Sequence, residues 1–165
     1  MTPHTAEQIM TRDVITIRKG SSIDLALRLM AKHRVSGLPV VDVDGDLVGI
    51  LTESDLLMRG QPPTGGDHLS VMGFSDTSQD KVSDAYRKAR AETVEEAMTS
   101  PVIAFQEGSS VSDIARAMIE RRINRVPIVR GRKVVGIVSR SDIIKSMASL
   151  GFNYDEDNYD PRIVF

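Results

Sequence analysis

Two stretches of the chain carry apolar residues at positions i, i+3, i+4 and i+7, the spacing that places side chains on one face of a helix. The apolar positions are Ile23, Ala26, Leu27 and Met30 in the first stretch and Val111, Ile114, Ala115 and Met118 in the second. Capping pairs precede both stretches: Ser21 with Asp24 and Ser110 with Asp113. The pattern predicts helices over about residues 23–33 and 111–121, each with one buried face.

Short apolar runs on either side of these helices predict strands. The β-branched segments 14–17 and 102–105 come before the helices. Two further runs joined by a polar turn follow each helix: 38–41 with 47–52, and 126–129 with 134–139. Asp-Gly or Arg-Gly in the turns favours hairpins. Pro39 and Pro127 are expected at the start of a strand, where a proline removes no central hydrogen bond.

Each half of the chain has two more helix-start signals, one at its beginning and one after its last predicted strand. At the beginning they are Thr5 with Gln8 and Thr93 with Glu96; after the last strand they are Ser54 with Asp55 and Ser141 with Asp142. The order of predicted elements in each half is therefore β-α-β-β-α, preceded by one short helical turn.

The two halves are copies of one another. The second copy, which begins at residue 93, repeats the first, which begins at residue 5, at an offset of 88 residues that has become 87 by Gly49 (Gly136). An internal repeat means that each copy is one structural unit with the same buried faces. Two such units can bury their apolar faces against each other, and a cleft can form at the seam. The predicted fold class is α/β (α+β).

The repeat divides the chain into four segments. They are copies at 5–59 and 93–148, an insertion at 60–92 and a tail at 149–165. Glycine and proline fill residues 60–66 and predict a loop, while apolar spacing predicts a helix over 78–91. The tail is acidic and holds four aromatic residues. Disorder is the preferred interpretation of the tail, and docking on a neighbour through those aromatic residues is the alternative.

Composition is that of an ordinary globular protein, with 41% hydrophobic and 27% charged residues. No apolar run approaches the roughly 18 residues of a membrane-spanning helix, and the first four residues lack the pattern of a signal peptide. The chain has no cysteine, which excludes disulfides and thiolate chemistry and fits a reducing cytoplasm. We expect a cytoplasmic protein without a membrane span.

Charge is unevenly distributed along the chain. Residues 93–147 hold nine Lys or Arg and six Asp or Glu, a net charge of +3, whereas the whole chain has a net charge of −2. Nucleic-acid binding needs a more strongly basic face, so we expect no nucleic-acid partner. The excess in the second copy favours a small phosphorylated ligand instead.

The chain lacks the spacings of a metal site or a catalytic centre. The three histidines, His4, His33 and His68, show no ligand spacing. No nucleophile is paired with a base, and no pair of acids is arranged for proton transfer. We expect no metal and no enzymatic activity.

The strand and helix-start motifs resemble those of CBS domains, named for cystathionine β-synthase. The motifs run from Ser36 to Asp42 and from Gly49 to Asp55 in the first copy, and from Asn124 to Val129 and from Gly136 to Asp142 in the second. The resemblance covers most of the chain. It implies a CBS pair, in which two β-α-β-β-α units pack sheet to sheet about a pseudo-two-fold axis. It also implies two clefts for adenosine-containing ligands such as AMP, ADP, ATP or S-adenosylmethionine.

Asp55 and Asp142 are the strongest candidate ligand-binding residues. Each stands one step inside a predicted helix, where a carboxylate can accept from both hydroxyls of a ribose, as the acid of a dinucleotide-binding fold does. Helix N-termini also offer unpaired N–H groups to a phosphate. The alternative is structural, because Ser-Asp is itself a good helix start. Two occurrences after similar strands favour the ligand role.

The resemblance implies that each cleft is built from both copies. The Asp55 cleft would comprise Thr52, Ser54, Asp55, Val102, Ile103, Asn124, Arg125 and Pro127; the Asp142 cleft would comprise Thr11, Val14, Ile15, Ser36, Gly37, Pro39, Ser139, Ser141 and Asp142. The Val and Ile side chains would pack against adenine, although they also suit an ordinary strand core. Arg125 could pair with a phosphate.

The expected function is a stand-alone regulatory module that binds an adenosine-containing ligand as a regulator, not as a catalytic cofactor, and acts on a partner in trans. The alternative is a ligand-free interaction scaffold whose clefts are vestigial, and an enzyme is the least favoured possibility. We also expect a homodimer formed through the outer helices. Its candidate apolar residues are Leu25, Leu29, Leu56, Leu57, Ile114, Ile119, Ile143 and Ile144.

Overall fold

The computed structural model describes residues 5–57, 87–88 and 90–149. The first half contains helix α1 (Ala6–Ile9), strand β1 (Ile17–Arg18), helix α2 (Ile23–His33), strands β2 (Gly37–Val41) and β3 (Leu47–Thr52), and helix α3 (Glu53–Leu57). The second half contains helix α4 (Val94–Ala97), strand β4 (Phe105–Gln106), helix α5 (Val111–Glu120), strands β5 (Arg125–Arg130) and β6 (Lys133–Ser139), and helix α6 (Arg140–Ser149). The predicted loop at 60–66, most of the predicted helix at 78–91 and the acidic tail after residue 149 lie outside the described residues.

Each half forms a three-stranded sheet, ordered β1-β2-β3 in the first half and β4-β5-β6 in the second. In both sheets the middle strand pairs in parallel with the short first strand and antiparallel with the third. The antiparallel register shifts at equivalent points, between Val40 and Val41 and between Ile128 and Val129. The predicted mixed fold of two β-α-β-β-α units is confirmed.

Helices α2 and α5 form where the apolar stripes predict them. Ser110 caps α5, accepting a backbone N–H of the first turn at 3.1 Å. The predicted cap of α2 was wrong by one residue: Ser22, not Ser21, accepts the N–H of Leu25 at 3.2 Å. Ser21 serves another contact, because its carbonyl accepts the N–H of Val94 at 2.9 Å.

The first strand of each half is shorter than predicted. Residues 14–17 and 102–105 were expected to be strands, but only Ile17–Arg18 and Phe105–Gln106 pair with a neighbour. The preceding residues carry the chain from one half to the other, since the backbone of Thr11 pairs with that of Ile137. A segment that crosses between sheets cannot also pair along its own sheet.

The structure also corrects the predicted position of the proline that occurs in both copies. Pro39 is the third residue of the middle strand β2, not its first. It is tolerated because β1 pairs with β2 only from Val40 onward, so the missing N–H removes no hydrogen bond from that pair. Pro127 has the same relation to β4, which begins to pair at Ile128.

The two hydrophobic cores exchange their short helices. Helix α4 contributes Val94 and Ala97 to the core of the first half, together with Met98, whereas helix α1 contributes Ala6 to the core of the second half. Met10, which follows α1, also lies in the second core. The packed units therefore differ from the sequence copies, because the helix that opens each copy belongs to the core of the other.

Contacts between the halves link equivalent positions, as a pseudo-two-fold axis requires. The reciprocal backbone pairs are Thr11 with Ile137 and Ile50 with Thr99, and Thr5 with Ser110 and Ser22 with Thr93. At one end of the interface Arg125 packs on Gly37, its counterpart in the first copy. At the other end the hairpin turns meet, where Asp46 pairs with Lys133.

The basic residues of the second hairpin are engaged in ion pairs. Asp46 of the first copy contacts Arg132 at 3.0 Å and Lys133 at 2.7 Å. Arg130 contacts Glu107 at 2.7 Å. The excess positive charge of the second copy therefore has a structural role at these three positions, so it does not by itself support a phosphorylated ligand.

Within the part of the chain that the structure describes, no helix has the length and hydropathy needed to span a bilayer.

Candidate functional site

Asp142 closes a capping box at the start of a helix, since its backbone N–H donates to the hydroxyl of Ser139 at 3.4 Å, and Asp55 makes the carboxylate half of the same arrangement with Thr52. Oδ2 of Asp142 accepts the backbone N–H of Ser139 at 2.8 Å and its hydroxyl at 2.6 Å. Oδ2 of Asp55 accepts the same two groups of Thr52 at 2.8 and 3.1 Å. A role in starting the helix therefore accounts for the hydrogen bonds of one oxygen of each carboxylate. The other oxygen, Oδ1, is left for a second partner.

This geometry corrects the predicted helix starts. The helices begin at Glu53 and Arg140, one residue earlier than expected. The hydroxyl residues beside these helix starts are therefore Thr52 and Ser139, the last residues of β3 and β6, and the hydroxyl of Ser139 accepts the N–H of Asp142. Ser54 and Ser141 lie inside the first helical turn and are exposed.

The second partner of Asp55 is a lysine from the insertion. Nζ of Lys88 forms a short ion pair with Oδ1 of Asp55 and lies 3.4 Å from the hydroxyl oxygen of Thr99. The side chains of Lys88 and Asp55 are only 11% and 7% exposed. Sequence reasoning missed this pair, because Lys88 lies 33 residues away and outside both copies of the repeat. No local motif signals it.

Asp142 has no such partner among the described residues, where its hydrogen bonds are to Ser139 alone. It is half-buried, and the hydroxyls of Ser139 and Ser141 lie 3.0 Å apart beside it. The nearest arginine in sequence, Arg140, donates instead to the carbonyl of Ile123 at 3.2 Å. The Asp142 carboxylate therefore keeps one oxygen available to a hydrogen-bond donor.

Arg125 lies between the two sets of residues that are predicted to line the clefts. Its Nη1 donates to the carbonyl of Ser36 at 2.5 Å, and its side chain fills the space that a Cβ on Gly37 would need. Burial lowers the pKa of Arg125, whereas the negative charges of Glu53 and Asp55 raise it. The resemblance places Ser36 and Gly37 in one cleft and Arg125 in the other, but the structure brings all three into contact.

Two predicted lining residues present no surface to a ligand in this structure. The side chains of Pro39 and Pro127 are less than 2% exposed, packed within the middle strands. Their place in the ligand clefts stays a prediction, which their side chains could meet only if neighbouring residues move.

The other predicted residues vary in exposure. Thr11 is exposed, and its backbone pairs with Ile137, two residues before Ser139, so it lies beside the strand that leads to Asp142. Ile15 packs against the first core. The remaining residues comprise half-buried Val14 and Val102, and exposed Ile103 and Asn124. Their contact with a ligand stays a prediction.

The described residues contain no group of three or more His, Asp or Glu arranged to hold a metal ion.

The family model for the CBS domain matches the chain twice, at residues 6–60 and 94–149. Among curated relatives, a protein from Methanocaldococcus jannaschii, uncharacterized protein MJ1404, is 37% identical over 87% of this chain and 32% of its own length. The CBS domain-containing protein CBSX1, chloroplastic, from Arabidopsis thaliana is 28% identical over 87% of this chain and 64% of its own length. The chain thus spans less than two thirds of either relative.

Two solved structures resemble the fold and contain adenosine compounds. CBSX2 in complex with AMP matches with a TM-score of 0.73 at 25% identity, covering 89% of this chain and 98% of that one. The CBS domain pair of protein MJ0100, in complex with 5′-methylthioadenosine and S-adenosyl-L-methionine, matches with a TM-score of 0.67 at 28% identity. That match covers 90% of this chain and 99% of the other.

Proposed function

Because the chain belongs to the CBS-domain family and carries two such domains in tandem, we propose that it is a regulatory module that binds an adenosine-containing ligand between its two copies. The observation that carries this proposal is the state of Asp142. One of its oxygens is held by the helix cap, and the other has no partner among the described residues. Complexes of similar structures with AMP and with S-adenosylmethionine support the ligand class.

In the proposed complex the ribose lies against the start of α6. Its hydroxyls donate to Oδ1 of Asp142, and the hydroxyls of Ser139 and Ser141 offer further hydrogen bonds. The capping box keeps the carboxylate in one orientation before the ligand arrives. Val14 and Ile15 are proposed to contact the adenine, since they lie in the segment that follows Thr11 into the first copy.

Thermal unfolding of the full chain tests this proposal. AMP, ADP, ATP and S-adenosylmethionine are each added at millimolar concentration, with GMP and inorganic phosphate as controls. A ligand present at 100 times its Kd adds about 2.7 kcal/mol to the free energy of unfolding. A rise in Tm with an adenosine compound supports the proposal. No rise with any of the four would favour the interaction scaffold with vestigial clefts.

We further propose that the module acts on a partner in trans and not as an enzyme. A ligand shifts a conformational equilibrium only through its difference in affinity for the two states. Regulation of this kind requires binding and no chemical reaction. Incubation with each nucleotide, followed by chromatography, should recover it unchanged. Cytoplasmic location stays a prediction from the absence of cysteine.

The homodimer belongs to the same proposal. Of the predicted apolar residues, Ile114 and Ile143 are buried, and Leu29 and Leu56 pack against the first core. The exposed ones are Leu25, Leu57, Ile119 and Ile144. We propose that these four contact a second copy. Light scattering should give twice the 18.1 kDa mass of one chain, and Ile119→Glu should shift that mass towards the monomer.

A further inference from the structure

Lys88 places a positive charge on the carboxylate oxygen that a ribose would use in the Asp55 cleft. Its Nζ is paired with Oδ1 of Asp55, while Oδ2 of the same carboxylate is already held by Thr52. Both oxygens of Asp55 therefore have partners from within the chain. In the Asp142 cleft the equivalent Oδ1 has none among the described residues.

The lysine is held in position by its surroundings. The next-but-two residue, Ala91, is buried in the first core, and its N–H donates to the carbonyl of Lys88 at 3.3 Å. Nη1 of the neighbouring Arg87 donates to the carbonyl of Glu96 at 2.5 Å. Ala91 thus anchors the chain after Lys88 to the first core, and the side chain of Arg87 links the residue before it to α4. The contacts of its neighbours thus hold Lys88 close to Asp55.

Burial strengthens the competition between Lys88 and a ligand. The two side chains are largely shielded from water, so the charges attract each other more strongly than on an open surface. A ribose hydroxyl is neutral and cannot replace that attraction in full. A nucleoside must therefore displace Lys88 from Asp55 before it can make the hydrogen bonds that Asp142 offers without displacement.

We propose that Lys88 is a specificity-determining residue that makes the two clefts unequal. An adenosine-containing ligand fills the Asp142 cleft first, and it enters the Asp55 cleft only by releasing Lys88 from Asp55. This inference rests on the proposed function. It adds that one side chain outside the repeats sets the order in which the clefts fill.

Calorimetric titration of the full chain with AMP tests the proposal. The wild type should show one stronger site and a second site that is weaker by about ten-fold or more, the range of a charge-assisted hydrogen bond. Lys88→Met keeps the aliphatic stem and removes the charge, so the weaker site should strengthen towards the first. Arg90→Gln is the matched control, because it removes an exposed charge from the same segment and should leave both sites unchanged.

The Asp142→Asn background isolates the Asp55 cleft. In that background Lys88→Met should increase AMP affinity about ten-fold, whereas Arg90→Gln should not. Two equal sites in the wild type, or no gain from Lys88→Met in either background, would overturn this inference while leaving the proposed function intact. Absence of AMP binding to the wild type would overturn the proposed function, and this inference with it.

A measurement on the wild type covers the case in which Lys88→Met fails to fold. Acetylation of lysines, followed by mass spectrometry, reports the accessibility of each amine. Lys88 should react slowly without AMP and faster at concentrations that fill the weaker site, while Lys133 in the hairpin contact serves as the reference. Unchanged or slower reaction of Lys88 at saturation of both sites would contradict its displacement.

Discussion

The Asp55 and Asp142 clefts start from nearly the same sequence and arrive at different chemical states. In both, a strand ends in a hydroxyl residue, and an Asp in the first turn of the following helix accepts the N–H and the hydroxyl of that residue with one oxygen. The difference lies in the other oxygen, which is paired with Lys88 in Asp55 and has no partner among the described residues in Asp142. The motif sets the geometry of the carboxylate, and a residue outside the motif decides its availability.

The boundary between the clefts is asymmetric as well. Gly37 and Arg125 occupy equivalent positions, so the pseudo-two-fold axis brings the smallest side chain against one of the largest. The carbonyl of Ser36 consequently accepts both Arg125 and the N–H of Glu53, at 2.5 and 3.0 Å. The equivalent carbonyl of Asn124 accepts the N–H of Arg140. The arginine thus adds its charge to the side of Asp55.

The largest expected effect comes from removing the charge of Asp142. Asp142→Asn keeps an oxygen for the helix cap but loses the carboxylate, so AMP affinity should fall about ten-fold or more. Calorimetry measures the loss. Asp113→Asn is the matched control, because Asp113 accepts the hydroxyl of Ser110 at 2.7 Å in a similar cap away from both clefts. Equal losses in the two variants would remove the distinction between the clefts and an ordinary helix start.

The second effect concerns Gly49 and Gly136, which lie against the segments that pass from one half of the molecule to the other. A methyl group at Gly136 would meet Cβ of Met10 at 3.0 Å, and one at Gly49 would meet the carbonyl of Thr99 at 3.1 Å. Both Gly→Ala variants should lose at least about 1 kcal/mol of unfolding free energy in urea. The loss at Gly136 should be the greater, because three atoms of Met10 would lie within 3.0 Å of the added methyl group, whereas at Gly49 only Sδ of Met98 would lie that close.

Gly108→Ala supplies the reference for that pair of variants, since nothing lies within 4 Å of a Cβ there. Its stability should match or exceed that of the wild type. A loss at Gly108 as large as at Gly49 or Gly136 would show that close approach is not the cause.

A smaller effect is expected from Arg125→Met. In the Asp142→Asn background, which isolates the Asp55 cleft, AMP affinity should fall about five-fold if Arg125 faces the phosphate. Adenosine affinity should stay unchanged, because adenosine has no phosphate. Arg140→Met, beside the other cleft, is the control. An equal loss for AMP and adenosine would assign Arg125 to packing against Gly37 and not to the ligand.

The smallest effect is electrostatic and confined to the second copy. The hydrogen bond from Arg130 lowers the pKa of Glu107 below its ordinary 4.5. A lowered pKa in the folded state stabilises the fold above the unfolded value and loses that contribution as the pH falls through the folded value. Arg130→Gln should therefore lower Tm slightly at pH 7, and the gap should close below pH 4.5.

The AMP affinity of Arg130→Gln at pH 7 gives a second readout. It should equal that of the wild type, since Arg130 pairs with Glu107 and not with a cleft residue. A Tm gap that widens in acid would show that Glu107 is not the group involved.

The elements with strong local signals could be predicted from the sequence. Apolar stripes located α2 and α5, and the repeat located both Asp residues, because these features depend on neighbours in the chain. The early strands were predicted to be too long. Most of residues 14–17 belong to the segment that crosses between the halves, although they are β-branched like the residues of a strand. The Lys88–Asp55 pair was out of reach, because a contact across 33 residues leaves no periodic pattern.

The exchange of α1 and α4 has a consequence for either copy taken alone. One copy taken alone would carry a short helix without a place in its own core, and its core would lack the helix that covers it. Two separate copies would satisfy each other by trading that helix, as the halves do here. A single copy should therefore bury its apolar core only by exchanging the helix with a second copy, an exchange that the tandem chain makes within one polypeptide.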